Sequence, residues 1–155
     1  MRLRAAGPED AAACVTILRD WINETPWMPM LHSRDSMDAF WRGRLEECSA
    51  WVAEAQGEVC GFVVRDGAYI TALYVASGIR GTGLGTRLLE LAASSGEPET
   101  RLWVFEANES ALRFYLRAGF RELSRTQGDN EEGLPDILLT RSGPDPGPPP
   151  QANDR

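Results

Sequence analysis

Hydrophobic and polar positions divide the chain into helices and strands that follow one another in a mixed order. Residues 3–5 favour a short strand, and apolar positions with helical spacing then extend over residues 8–21. Pro26 and Pro29 interrupt residues 23–33, which we therefore expect to form a loop. Residues 36–47 follow as a second helix, and its predicted buried face consists of Met37, Phe40, Trp41 and Leu45.

The middle of the chain reads as three short strands separated by turns that contain glycine. Residues 51–55, 59–65 and 69–75 flank the turns at 56–57 and 66–67, which is typical of an antiparallel meander. The remaining predicted elements are a helix from Leu84, a strand at 101–105, a helix capped by Asn108 and ended by Gly119, and strands at 120–126 and 136–140. The pattern predicts a mixed α/β domain.

The end of the chain differs in composition from the rest. Residues 142–155 contain five of the ten prolines and no large apolar residue, so they cannot bury a core. We expect them to form a disordered tail. Residues 1–141 are long enough for one domain with its own core.

Composition excludes several classes of protein. The net charge is −7 and no basic patch is evident, which argues against nucleic-acid binding. No apolar segment approaches the length of a membrane span and no signal-peptide core is visible, so we expect a cytoplasmic protein. Cys14, Cys48 and Cys60 are widely spaced, which favours neither disulfides nor a metal site. Since the chain has no lysine, Schiff-base chemistry and a Walker phosphate loop are excluded.

Three glycines stand at the start of the helix that begins near Leu84. The stretch IRGTGLG places Gly81, Gly83 and Gly85 where backbone N–H groups and the helix dipole favour a bound phosphate. A dinucleotide-binding fingerprint needs a further glycine at position 86, which is Thr86. The alternative is a tight turn packed closely on the sheet.

A second stretch, NESALRFYLRAGF at residues 108–120, carries a resemblance to a known family. Together with the glycine turn and the strand end ALYV, it resembles the GNAT N-acetyltransferase superfamily. The matching positions are Arg80, Gly83 and Gly85 in the first motif and Asn108, Ala111, Tyr115, Gly119 and Phe120 in the second. The resemblance is specific over about residues 51–126, and it implies a central, mostly antiparallel sheet with flanking helices.

The resemblance also implies acetyl-CoA as co-substrate. The backbone of Leu73, Tyr74 and Val75 would pair with the pantetheine arm like an added strand. The pyrophosphate would be held by Arg80 and by the N–H groups of Gly81, Thr82, Gly83, Leu84, Gly85 and Thr86. Asn108 and Ala111 would lie beside the pantetheine, although Asn108 also fits a simple helix cap.

By the same resemblance, a primary amine of a small molecule or peptide attacks the thioester directly. Tyr115 lies where the family has its general acid; the alternative is that it only packs in the buried face of its helix. Some members have a glutamate as base at the position that is Tyr69 here. The base therefore stays open between Tyr69, Glu24, His32 and relayed water.

The amine acceptor is expected between the loop at residues 23–33 and the loop before the last strand. Apolar contacts would come from Trp27, Met28 and Met30, and His32 lies in the same loop. Carboxylates that attract a cationic amine would be Glu24, Asp129, Glu131 and Glu132. The plainer interpretation is a solvated acidic loop and an apolar lid on the core.

Two other functions stay open at this stage. One is a catalytically silent acyl-CoA-binding sensor or interaction module, and the other is an unrelated nucleotide-binding domain. A homodimer is compatible with the sequence as well.

Overall fold

A computed structural model describes residues 1–142, in which seven strands form one sheet flanked by four α-helices. The strands are β1 (Arg2–Ala5), β2 (Ser49–Ala55), β3 (Glu58–Asp66), β4 (Tyr69–Val75), β5 (Glu99–Phe105), β6 (Arg121–Thr126) and β7 (Asp136–Ser142). The helices are α1 (Ala11–Asn23), α2 (Arg34–Glu47), α3 (Leu84–Ala93) and α4 (Glu109–Arg117). Ser142 ends β7, and the rest of the predicted tail lies outside the described residues.

The sheet has the order β1-β2-β3-β4-β5-β7-β6, and its only parallel neighbours within residues 1–142 are β4 and β5. The predicted meander of β2, β3 and β4 and the mostly antiparallel sheet are confirmed. β7 lies between β5 and β6, so the last two strands do not continue the sequential order.

β4 and β5 are paired at a single position, Tyr69 opposite Arg101. The N–H of Arg101 donates to the carbonyl of Ala68 at 2.7 Å, and no further pair joins these two strands. On its other side β4 is paired with β3 through Val75, but the register shifts by one residue at Thr71, which forms a β-bulge. The sheet is therefore closed at the start of β4 and split towards its end.

The helices cover the two faces of the sheet. α3 contributes Leu84, Leu88 and Leu89 to the core on one face, and α1 and α2 cover Phe62 and its neighbours on the other. Cys14 and Cys60 are buried, and Cys48 is half-buried. No helix in the described part of the chain is long and apolar enough to cross a membrane.

The predicted buried face of α2 is wrong at one position. Met37 and Leu45 are buried and Trp41 is half-buried, but Phe40 is 59% exposed. Met37, Trp41 and Leu45 recur every four residues, whereas Phe40 lies at the edge of this stripe. Its ring packs edge-on against Trp41, with the centroids 5.3 Å apart.

Arg65 on β3 lies beside the point where β4 and β5 meet, and its side chain is buried. Its guanidinium donates to the carbonyls of Ala92 (2.9 Å) and Ala93 (3.3 Å) at the end of α3. It also donates to the carbonyls of Glu97 (3.0 Å) and Glu99 (2.9 Å) just before and within β5. Burial lowers the pKa of Arg65 from its ordinary value. The cation thus lies at the negative end of the α3 dipole and ties β3, α3 and β5 together.

Replacing Arg65 should therefore destabilise the fold strongly. Arg65→Met leaves several buried carbonyls without a donor and should lower the free energy of unfolding by about 3 kcal/mol or more. The matched control is Arg44→Met, which removes a surface ion pair with Asp66 (2.7 Å) and should cost less than about 1 kcal/mol. Urea unfolding measures both values, and equal losses in the two variants would contradict this role of Arg65.

Candidate active site

The split between β4 and β5 exposes backbone hydrogen-bonding groups of β4. The N–H of Ala76 donates to the carbonyl of Cys60 at 2.8 Å, so this pair is a hydrogen-bonded one in the β3–β4 ladder. Hydrogen-bonded and non-hydrogen-bonded pairs alternate, so the N–H and C=O groups of Leu73 and Val75 point away from β3. They face the gap where β5 would continue the sheet, and an extended ligand can use them as an added strand does.

Arg80 lies at the open end of this gap. Its Nε donates to the carbonyl of Val75 at 3.2 Å, and its Nη1 lies 3.1 Å from Oε1 of Glu24. Both side chains of this ion pair are nearly half exposed. Glu24, which the sequence suggested as an acceptor-binding carboxylate, thus pairs with the arginine of the glycine turn.

The glycine turn presents the start of α3 without a cap. Gly81 and Gly83 have φ values of 83° and 86°, and a Cβ built on either one meets no atom within 4 Å. Within residues 1–142 no side chain caps α3, so the first N–H groups of the helix remain available. Gly85 differs from these two glycines, because a Cβ built on it would lie in ordinary contact with the ring of Phe114 on α4, at 3.6 Å. The turn is thus a concave cradle of N–H groups suited to a phosphate.

The second sequence motif has the predicted local structure. Oδ1 of Asn108 accepts from the N–H of Ala111 at 3.2 Å, so Asn108 caps α4. Gly119 ends the helix with a φ of 98°. Tyr115 is half-buried between the rings of Phe114 and Phe120, with centroid distances of 5.1 and 5.6 Å.

Two phenols lie near the split, one from each face of the sheet. Burial raises the pKa of Tyr115 well above its ordinary value, and the nearby Tyr74 raises it further. Burial also raises the pKa of Tyr74 to about 12, with a smaller contribution from the charge of Glu132. Both phenols are therefore protonated at neutral pH.

Two cavities lie on the α1 and α2 side of the split. The smaller one has a volume of about 340 Å³ and includes Glu24, Trp27 and Asn108 in its lining. The larger one, about 790 Å³, extends from α1 and α2 across β4 and β5 to the loop between β6 and β7. We call it the acceptor cavity.

The acceptor cavity contains most of the residues predicted for acceptor binding. Its lining includes Met28, Met30, His32, Asp129, Glu131 and Glu132. Nε2 of His32 lies 2.7 Å from Oε2 of Glu131, and this contact joins the two loops across the cavity. Tyr69 is elsewhere, at the closed start of β4 opposite Arg101, and lines neither cavity.

A row of aromatic rings spans the split. Tyr74 of β4 packs against Trp21, Trp21 against Trp27, and Trp27 against Phe105 of β5, with centroid distances of 5.4, 5.9 and 5.9 Å. The sequence analysis missed two residues of this site. One is Trp21 of α1 in the aromatic row, and the other is Asp136, whose buried carboxylate lines the acceptor cavity. The available signal was a charged residue placed directly before the apolar run ILL of β7.

Comparison with known proteins agrees with this arrangement. A model of the acetyltransferase (GNAT) family matches residues 15–120. The peptidyl-lysine N-acetyltransferase YjaB of Escherichia coli is 35% identical over 107 residues, which are 68% of this chain and 71% of that protein. The peptidyl-lysine N-acetyltransferase YiaC of the same organism is 29% identical over 129 residues, covering 80% and 87% of the two chains.

Solved structures show the same fold. The apo solution structure of Escherichia coli YjaB superposes with a TM-score of 0.73 at 28% identity, covering 92% of this chain and 98% of that one. The structure of yncA from Salmonella typhimurium, which contains acetyl-CoA, has a TM-score of 0.72 at 21% identity and covers 99% and 98% of the two chains.

The raised pKa of Tyr74 predicts an alkaline loss of stability. The folded chain holds this proton up to a pH of about 12, whereas an unfolded chain releases it near pH 10. The contribution of the Tyr74 proton to the free energy of unfolding is therefore complete below pH 10 and is lost as the pH rises towards 12. Between pH 9 and pH 11, the free energy of unfolding measured in urea should fall by about 1 kcal/mol less in Tyr74→Phe than in the wild type. Equal declines would contradict the burial of this phenol.

Proposed function

This chain belongs to the acetyltransferase (GNAT) family, and we propose that it acetylates primary amines by direct attack on acetyl-CoA, with peptidyl lysine as the acceptor. Acetyl-CoA-dependent acetyl transfer is the activity of the family and of its named relatives. The observation that supports the location of the site is the split between β4 and β5, which leads from the uncapped start of α3 to the acceptor cavity.

We propose that free backbone N–H and C=O groups bind acetyl-CoA. The cradle around Gly81 and Gly83 would hold the pyrophosphate, and the outward groups of Leu73 and Val75 would pair with the amides of the pantetheine arm. In this arrangement the thioester would lie within the split, between the aromatic row on one face and Tyr115 on the other. An N–H near Val75 would then donate to the oxyanion that forms when the amine attacks.

Tyr115 would act on the sulfur of the thioester. As the carbon–sulfur bond breaks, negative charge develops on the sulfur and the phenol can donate a hydrogen bond and then its proton. The phenol is protonated at neutral pH even at its ordinary pKa, and burial raises that pKa further. Removal of the phenol should slow the acetyl-transfer step itself.

The acceptor half is suited to a cationic amine. The acceptor cavity contains carboxylates from the loop between β6 and β7, and both relatives named above are peptidyl-lysine N-acetyltransferases. The ammonium group must lose its proton before attack. Of the three side chains considered as bases, His32 lines this cavity, whereas Glu24 is paired with Arg80 and Tyr69 lies apart.

The experiment that tests the proposed function is a turnover assay with acetyl-CoA. Release of free CoA and acetylation of the acceptor should be followed with lysine-containing peptides, the same peptides with lysine replaced by arginine, and small aliphatic amines. Acetylation that depends on the lysine supports the proposal. Activity restricted to small amines would contradict a peptide acceptor while leaving acetyl transfer intact.

A variant at Gly83 tests the cradle. Gly83→Ala places a methyl group in the space proposed for the phosphate and should weaken acetyl-CoA binding at least about tenfold in calorimetry, since one lost phosphate hydrogen bond has this effect. Gly57→Ala is the matched control, because Gly57 also has a positive φ of 80° and open space around its Cβ. Both variants should lose similar stability, and similar losses of affinity would count against the cradle.

A variant at Tyr115 tests the proton donor. Tyr115→Phe should lower the single-turnover rate roughly 10²-fold or more, while acetyl-CoA affinity stays near the wild-type value. Tyr69→Phe removes a phenol at the closed start of β4, opposite Arg101, and should retain the wild-type rate. A wild-type single-turnover rate in Tyr115→Phe would end the assignment.

A further inference from the structure

The wall of the acceptor cavity is chemically divided. One part, from the loop before α2, from α2 and from β5, carries three large apolar side chains that are exposed, Leu31 (46%), Phe40 (59%) and Trp103 (45%). We call these three residues the apolar rim. Another part of the lining consists of carboxylates of the loop between β6 and β7, and no arginine of the described chain lines the cavity. A ligand with both an apolar group and a cation therefore matches the two parts.

Asp136 is the buried carboxylate of this cavity. It is 7% exposed at the start of β7, where it lies opposite Phe105 in the β5–β7 ladder. One carboxylate oxygen accepts from the hydroxyl of Thr126, and the other accepts from Nδ2 of Asn130 at 3.0 Å. Both donors are neutral, and within residues 1–142 no cationic side chain forms an ion pair with Asp136.

A buried carboxylate with only neutral donors is well placed to receive a cation from a ligand. Leaving water is costly for a charge, and an ion of opposite sign offsets much of that cost. The surroundings favour an organic ammonium group, because the rings of Tyr74, Trp103 and Phe105 line the same cavity. Phe105, which lies opposite Asp136 in the β5–β7 ladder, also belongs to the aromatic row that spans the split, so Asp136 lies at the β5 end of this row.

We propose that the acceptor peptide lies across this cavity with the ammonium group of its lysine paired to Asp136 and an apolar neighbouring residue packed on the apolar rim. This inference rests on the proposed function, since it assumes that the acceptor is a peptidyl lysine. Asp136 acts in binding and orientation of the amine. Contact with a bound peptide accounts for the exposure of the three large apolar side chains of the rim in the free protein.

The first test compares Asp136→Asn with Asp66→Asn. Asp136→Asn removes the charge with little change in shape and should lower kcat/KM for a lysine peptide roughly 30-fold or more, mainly through KM. Asp66→Asn makes the same change in an exposed carboxylate that pairs with Arg44 and lines neither cavity. It should retain most of the activity. Acetyl-CoA affinity, measured by calorimetry, should be unchanged in both variants.

The second test uses two peptides that differ only in the residue next to lysine, phenylalanine or serine. The wild type should favour the phenylalanine peptide, and Phe40→Ala should reduce this preference by roughly fivefold to tenfold while changing kcat/KM for the serine peptide little. Circular dichroism and urea unfolding confirm that each variant is folded.

The outcomes separate the two levels of the proposal. If the wild type binds acetyl-CoA but acetylates no lysine peptide, the proposed function fails. If it acetylates lysine peptides and Asp136→Asn stays within twofold of it, or Asp66→Asn loses as much as Asp136→Asn, the role of Asp136 is overturned while the function stands. An equal effect of Phe40→Ala on both peptides overturns the role of the apolar rim.

Discussion

The architecture depends on the single residue pair that joins β4 to β5. Arg65 lies beside this pair and binds the carbonyls at the end of α3 and at the start of β5, so the strands are held together at one end only. Helix α3 runs back from the open end to this closed end. Its negative terminus is matched by a buried cation, while its positive terminus at Gly83 carries no cap and is left for an anion. One helix thus closes the sheet at one end and leaves its first N–H groups without a cap at the other, where we propose that a phosphate binds.

Arg80 lies at the open end of the split and contacts groups from two elements there. Its guanidinium bridges the carbonyl of Val75, which we propose pairs with the pantetheine arm, and the carboxylate of Glu24. In the proposed complex the cofactor phosphates compete for the same guanidinium, and the pantetheine competes for the same carbonyl. Donor binding must therefore replace both contacts of Arg80. Glu24 precedes the loop that carries Trp27, and Trp27 packs against Trp21 and Phe105.

Local sequence signals predicted the features that depend on neighbouring residues. The hairpin turns, the cap by Asn108, the left-handed Gly119 and the glycine turn all follow from the conformational preferences of single residues, and the structure has each of them. Features that depend on distant partners could not be predicted in this way. The position of β7 between β5 and β6, the burial of Arg65 and the exposure of Phe40 are set by tertiary packing.

Burial of the proposed proton donor at first sight opposes its function, since a raised pKa makes the Tyr115 phenol a weaker acid than a phenol in water. The relevant quantity is the difference between its pKa and that of the departing thiol. Desolvation raises the pKa of a thiol as well, so a thiolate formed in the same split is a stronger base than it would be in water. The hydrogen bond from phenol to sulfur also strengthens in the low local dielectric. A buried phenol therefore stays protonated in the resting enzyme and responds to charge on the sulfur only when the thioester bond breaks.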